Sequence, residues 1–322
     1  MSDYKLMIGD CIEQMSTLPD ESVNCCVTSP PYFGLRDYGH DGQIGLEPTP
    51  DDFVAKLVDV FRQVHRVLRD DGTLWLNLGD SYASFRDAKC TPNTVGGGQK
   101  SMPSKGATNR SAATFKNTAI KHKDLIGIPW RVAFALQEDG WYLRQDIIWH
   151  KPNPMPESVK DRCTKAHEYI FLLSKSPRYY FDNEAIKEHA VYAGIPQSFD
   201  TPYKNKGRGS GKKPSGNEKK GSKPVVYDKK NRRSVWKVTT KPYKGAHFAT
   251  FPPDLIEPCI LAGCPQGGTV LDPFGGSGTT AGVAIKHDRS AILCELNEEY
   301  AALTQERVQS IVGLQNLDLF ND

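Results

Sequence analysis

GGTVLDPFGGSGTTAGVAI, residues 267–285, is the stretch that decides the fold. A short apolar run reaches Asp272, the chain turns through Pro273, Phe274, Gly275, Gly276, Ser277 and Gly278, and a helix-forming segment opens at Thr279. Glycines let main-chain N–H groups come close to a ligand, and the first turn of a helix favours an anionic group. The order strand, loop, helix is the crevice-forming unit of an open α/β sheet.

The next apolar run, SAILCE, ends at Glu295, where an acidic residue commonly takes ribose hydroxyls in a dinucleotide-type fold. The loop lacks the Lys-Ser/Thr of a P-loop and lacks G-x-G-x-x-G, so NTPase and NAD readings lose ground. A carboxylate ahead of the loop would repel a pyrophosphate but pair with an ammonium. A ligand with an amino-acid head and a ribose fits both ends, and S-adenosylmethionine has both.

Further apolar runs recur upstream: YKLMIG ending at Gly9-Asp10, VNCCVT before Ser29, TLWLNLG before Asp80, LRQDIIWH before Lys151, and HEYIFLLS before Lys175. Between them DDFVAKLVDVFRQVHRVLRDDG places Phe53, Leu57, Val60, Phe61, Val64, Val67 and Leu68 on one helical stripe, with Gly72 expected to close it. Strands alternating with helices predict a doubly wound, mostly parallel, Rossmann-like α/β sheet. Two stretches break the alternation: a polar, glycine-rich loop over 84–123 and a basic insert over 185–245.

The composition is that of an ordinary globular chain: 322 residues, 38% hydrophobic and 25% charged. Net charge is only +3, yet 15 of the 41 Lys and Arg and 2 of the 38 Asp and Glu fall within 204–244. An acidic body with a basic insert suits a polyanion held at one place. The start of the sequence has no basic segment leading into an apolar run, and no run approaches the roughly 20 residues that span a bilayer, so a cytoplasmic protein is expected. The eight cysteines, at 11, 25, 26, 90, 163, 259, 264 and 294, form no C-x-x-C pair, and the histidines lack ligand spacing such as H-E-x-x-H; buried free thiols and no metal are expected.

TSPPYFGLRDYG, from Thr28 to Gly39, follows the run VNCCVT. Consecutive prolines remove two donors and fix two φ angles, leaving a rigid, acceptor-only turn. A nucleobase exocyclic amine is a donor whose lone pair is delocalised into the ring. Hydrogen bonds from its N–H groups to the Ser29 hydroxyl and the Pro30 carbonyl would favour a tetrahedral nitrogen aimed at a sulfonium methyl. Pro31 stiffens the turn, and Tyr32 is placed to stack on a base rotated out of the helix.

TSPPYFGLRDYG, LDPFGGSGTT, HFATFPPDLIEPCILAG and WYLRQDIIWHKPNPMPESVKDRCTKAHEYIFLLSKS together resemble the permuted (β-group) DNA amino-methyltransferases of bacterial and phage restriction-modification systems. The resemblance covers most of the chain outside the two polar stretches. It implies a circularly permuted methyltransferase fold, S-adenosylmethionine as cofactor and double-stranded DNA as partner, and a homodimer is left open. It further implies that Asp10 contacts the cofactor's adenine and Glu295 its ribose. Thr28, Asp272 and the segment Pro273, Phe274, Gly275, Gly276, Ser277, Gly278 and Thr279 would surround the methionine part, closed over by Thr250 and Phe251. Ser29, Pro30, Pro31 and Tyr32 carry the catalytic assignment. As alternatives, Asp10 and Glu295 are helix-capping acids and Phe251 is core.

The implied organisation is a catalytic part over 1–184, a target-recognition region over 185–245 with Tyr203, Tyr227 and Trp236 available to stack or wedge, and a cofactor-binding part over 246–322. Thr-Ser-Pro-Pro-Tyr is more typical of N4-cytosine members of the family and Asp-Pro-Pro-Tyr of N6-adenine members, which favours N4. Methylation of a protein side-chain amide uses a related Asn-Pro-Pro-Tyr turn; the serine, the basic insert and the permuted order argue against it. Trp149 is expected to be a packed strand end, and His167 and Glu168 a structural pair.

Overall fold

Each of the seven apolar runs forms a strand in the computed structural model, which describes residues 2–34, 40, 42–83, 119–190, 228–240 and 251–313. In chain order the strands are β1 (Tyr4–Ile8), β2 (Val23–Thr28), β3 (Leu68–Leu78), β4 (Tyr142–His150), β5 (His167–Ser174), β6 (Glu188–His189), β7 (Lys229–Lys230), β8 (Val235–Lys237), β9 (Thr269–Asp272) and β10 (Ser290–Glu295). The helices are α1 (Cys11–Ser16), α2 (Pro50–Val67), α3 (Ile128–Glu138), α4 (Pro253–Gly263), α5 (Thr279–Lys286), α6 (Glu298–Ala301) and α7 (Thr304–Val312).

Eight strands make one sheet in the order β1-β10-β9-β2-β3-β5-β4-β8. β1, β10, β9, β2 and β3 run parallel, β5 is antiparallel to both neighbours, and β8 runs parallel to β4. The first and last thirds of the sequence therefore interleave in one sheet, as the permuted order predicts.

Adjacent residues of β2 show how both faces are covered. Cys26 lies in the apolar core with Phe53, Leu57 and Phe61 of α2 and Val132 of α3. Cys25 faces the other way, toward Gly263 at the end of α4. A strand buried on both faces needs a nearly continuous apolar run, which is what VNCCVT supplies. The approach at Gly263 is close enough that a Cβ there would stand 2.4 Å from the Trp75 indole nitrogen and 2.9 Å from the Cys25 sulfur. Gly263→Ala is therefore expected to destabilise the chain by about 1–3 kcal/mol through overpacking, read as a lowered urea midpoint; an unchanged midpoint would show that α4 can slide away from the sheet.

The stripe of α2 is buried as expected, and Thr49 caps the helix by accepting from Asp52 N at 3.1 Å. The expected end at Gly72 is corrected: α2 stops at Val67 and Leu68 already pairs with Val23 as the first residue of β3. Arg69, Asp70 and Asp71 then bulge into solvent before pairing resumes at Thr73 opposite Cys25. Burial of Leu68 in the sheet outweighs the helical preference of the polar residues after it.

Residues Asn183–Arg232 form a separate compact unit. Its described part holds the two-stranded antiparallel pair of β6 and β7, with Lys230 Nζ 3.8 Å from Glu188 and Asn183 donating to Asn231 at 3.0 Å. The main unit resumes at Arg233, so the end of the basic stretch belongs to the large sheet as β8. Trp236, in β8, is buried and donates its indole N–H to the Arg233 carbonyl at 2.7 Å. It is not placed to stack on a base; Tyr203 and Tyr227 lie outside the described residues. No helix among the described residues is long and apolar enough to cross a membrane.

Candidate active site

β1, β10, β9 and β2 are parallel neighbours, so their carboxyl ends bring Asp10, Glu295, Asp272 and the pair Thr28-Ser29 to one edge of the sheet. Main-chain bonds lace that edge: Gly9 N donates to the Glu295 carbonyl at 2.9 Å, and Gly275 N to the Cys294 carbonyl at 2.8 Å. The two halves of the sequence are joined most directly by Thr28, whose hydroxyl donates to Asp272 Oδ1 at 2.6 Å across 244 positions.

Asp272 itself lies beneath the loop. It is 1% exposed, and its carboxylate accepts from the Thr28 hydroxyl, from Phe274 N at 3.1 Å and from the Thr280 hydroxyl at 2.6 Å. Three donors take most of the carboxylate's acceptor capacity, so its observed contacts are with the loop and the strands around it rather than with open space. Burial pushes its pKa above the usual carboxylate range, against the opposing pull of those donors. Its place is to fix the shape of the glycine loop from below.

The loop above it has room for a ligand. Gly276 has φ +53 and a Cβ there would meet nothing closer than 4.0 Å, whereas Gly278, at φ +87, would press a Cβ to 2.6 Å from Thr304. One glycine is thus required by packing and the other leaves the loop open. The Ser277 hydroxyl is buried without a hydrogen-bond partner. Glu295 is half-buried, accepting from Gly276 N at 2.8 Å and Asn297 N at 2.9 Å, and burial raises its pKa as well. Asp10 caps α1 through Oδ1, which accepts from Ile12 N at 2.9 Å and Glu13 N at 3.1 Å. The capping role was one of the two alternatives read from the sequence, and it occupies one carboxylate oxygen. Phe251 stands just before α4, whose other end, Gly263, packs beside Cys25 and Thr73, on the amino side of Thr28 and Leu78; Thr250 lies outside the described residues.

The turn after β2 carries Ser29, partly exposed, then Pro30, Pro31 and Tyr32. Tyr32 is anchored by a polar network that sequence reading missed. Its hydroxyl donates to Glu168 Oε2 at 2.8 Å, Asn77 Nδ2 donates to the same oxygen at 3.3 Å, and Lys151 Nζ pairs with Glu168 Oε1. The ring lies on Gly79, where a Cβ would come within 2.5 Å of it. Glu168 is therefore not the partner of His167, whose ring instead packs edge-on against Tyr169 at 5.3 Å. The signal was available only through strand pairing: β4 meets β5 with Trp149 opposite Glu168, and Lys151, two residues on and on the same face, reaches Glu168 diagonally. Trp149 is a packed strand end, as expected, donating to the Val238 carbonyl at 2.8 Å.

A family model described as DNA methylase, covering enzymes of the N6 and N4 type, matches residues 23–306. The Type II methyltransferase M.SmaI of Serratia marcescens is 48% identical over 308 residues, 94% of this chain and 90% of that protein. The chain belongs to the DNA methylase family. The methylase is an amino-methyltransferase of the restriction-modification kind, acting on N4 of cytosine or N6 of adenine. In fold it is similar to the PvuII DNA methyltransferase (cytosine-N4-specific), with a TM-score of 0.61 at 20% identity over 97% of this chain and 92% of that one. It is also similar to M1.HpyAVI, solved as a complex with SAM, with a TM-score of 0.53 at 16% identity over 95% and 98%.

Six cysteines of the methylase, including Cys259 in α4, are buried free thiols, and Cys163 is exposed; Cys90 lies outside the described residues. Burial pushes the thiols of Cys11, Cys264 and Cys294 up to about 12, so they are protonated and inert at neutral pH. Among the described residues no group of three His, Cys, Asp or Glu is arranged to hold a metal.

Proposed function

We propose that the methylase transfers a methyl group to N4 of cytosine at a specific site in double-stranded DNA, with the target base rotated out of the helix. S-adenosylmethionine is the cofactor, and it supplies a sulfonium methyl. Residues that would hold it are Glu295 and Asp10 for the nucleoside, and Gly275, Gly276, Ser277 and the start of α5 for the methionine part. The open space over Gly276 and the unpartnered Ser277 hydroxyl support that fit. Thr28, Asp272 and Phe274 shape the loop, and Thr250 and Phe251 would close the site.

The observation that carries the reading is the Thr28 to Asp272 hydrogen bond, because it seats the acceptor turn directly beside the cofactor loop. The Ser29 hydroxyl and Pro30 carbonyl would accept the two amine protons, and the prolines leave no donor to compete. Tyr32 would take the flipped base by stacking. The Ser-Pro-Pro-Tyr form of the turn and the likeness to a cytosine-N4-specific enzyme favour N4. The unit Asn183–Arg232 and the basic residues on either side of its ends would read the target through phosphate and guanine contacts.

Expression in a host without DNA modification, followed by sequencing that separates N4-methylcytosine from N6-methyladenine, tests this reading. N4-methylcytosine at one sequence context is expected, and it is expected to vanish with Ser29→Ala. N6-methyladenine at one context would overturn the base assignment and keep the pocket. An unmodified genome would overturn the function.

A further inference from the structure

Met155 is 85% exposed, well beyond any other large hydrophobic side chain among the described residues, the next being Val235 at 58%. A single exposed apolar side chain is ordinary on a protein surface; what sets this one apart is the backbone that carries it and where that backbone is anchored. The loop is KPNPMPES, where Pro152, Pro154 and Pro156 alternate with Asn153 and Met155. Proline fixes its own φ and pushes the residue before it to extended backbone, so Met155 is carried on a stiff rod that does not fold back onto the protein.

The loop is tied down along its length. Asn153 and Thr240 exchange hydrogen bonds at 3.1 and 3.2 Å. Glu157 takes Arg162 at 2.6 Å and Lys165 N at 3.3 Å, the Arg162 guanidinium lies 3.8 Å from the Tyr82 ring centre, and Lys165 Nζ donates to the Asp80 carbonyl at 3.0 Å. Its two stems, Lys151 and Glu168, pair with each other, and Glu168 holds the Tyr32 hydroxyl. The rod therefore rises from the carboxyl edge of the sheet and is bonded at its base to the acceptor turn.

We propose that Met155 is the wedge that enters the base stack and fills the space vacated by the flipped nucleotide. The proposal rests on the DNA reading above. An opened step is a slot between two flat apolar faces, and an unbranched thioether side chain fits it; apolar wedges of this kind offset an unstacking cost of a few kcal/mol. Lys151, Lys160, Arg162 and Lys165 against Glu157 and Asp161 give the loop a net positive charge, which suits approach to the phosphate backbone and disfavours an acidic partner.

The test is single-turnover methylation of a duplex carrying the mapped target, compared with the same duplex bearing an abasic site opposite the target base, where leaving the stack costs less. Met155→Ala is expected to slow the matched duplex by about tenfold or more, to fall within twofold of wild type on the abasic duplex, and to leave S-adenosylmethionine affinity unchanged. Met155→Leu is expected to restore the matched rate. Equal wild-type and Met155→Ala rates on the matched duplex would overturn the wedge, as would the same deficit on both duplexes or rescue by Met155→Lys, which would mark a phosphate or protein contact. A wild-type chain that methylates no duplex would overturn the functional reading and the wedge with it; an active wild type beside an equally active variant overturns the wedge alone.

Discussion

Asp272→Ala is expected to lose S-adenosylmethionine binding by a hundredfold or more, measured by calorimetric titration, while low-salt DNA binding survives. Asp272 is buried beneath the glycine loop, so the loss is expected to come through the loop's shape. Without the carboxylate the Thr28 and Thr280 hydroxyls and Phe274 N lose their acceptor in a buried place, each at about 1–3 kcal/mol. The loop is then expected to shift so that these donors find other partners, and its ligand-ready shape is lost. Asp272→Asn keeps the volume and, with one hydroxyl turned to accept, is expected to bind nearly as wild type. Unchanged affinity in the alanine variant would remove Asp272 from the site altogether.

The same residue gives a signed pH dependence. Asp272 and Glu295 both have pKa values raised by burial, so the folded chain binds protons that the unfolded chain has already released. Stability from these groups is therefore highest at low pH and declines as pH rises from about 4, the ordinary carboxylate value, through the raised values, then levels off. Asp272→Asn is expected to flatten part of that slope.

The second large effect concerns Tyr32. Tyr32→Ala is expected to slow single-turnover methyl transfer by about two to three orders of magnitude with cofactor affinity retained. Stacking on a base contributes about 1–3 kcal/mol, and the charge-assisted bond to Glu168 about 1.5–3 kcal/mol. Tyr32→Phe separates the two: it keeps the ring on Gly79, loses the tie to Glu168 and should be slowed about tenfold by the lower end of that range. Glu168→Gln should resemble Tyr32→Phe, because it weakens the same anchor and breaks the pair with Lys151. A Tyr32→Ala enzyme working at the wild-type rate would sink the acceptor-turn mechanism.

What the sequence disclosed followed from local pattern. Apolar runs ending in Asp10, Ser29, Asp272 and Glu295 marked the strands and the edge where they finish, and the glycine loop marked the crevice. Features that depend on pairing did not show. β8 is three residues, Val-Trp-Lys, inside a basic stretch whose composition reads as solvated, and only its register against Ile148, Trp149 and His150 makes it a strand. Arg69, Asp70 and Asp71 looked like a last helical turn because nothing local announces that Leu68 has joined the sheet. The depth of Asp272 was equally hidden, since its donors Thr28 and Thr280 come from β2 and α5. The Glu168 anchor needed the β4 to β5 register to be known first.

The sheet order β1-β10-β9-β2 also bears on biogenesis. During translation β1 and β2 emerge early but are not neighbours; the two strands that separate them are made more than 240 positions later, on the order of tens of seconds at ribosomal speed. Until then β1 has no sheet to join and one flank of β2 stays unpaired, an opening for misassembly that such long-range closure also makes slow to heal. Shielding the nascent chain over that interval would close that opening, and a chain ended before β9 would lack the two strands that join β1 to β2.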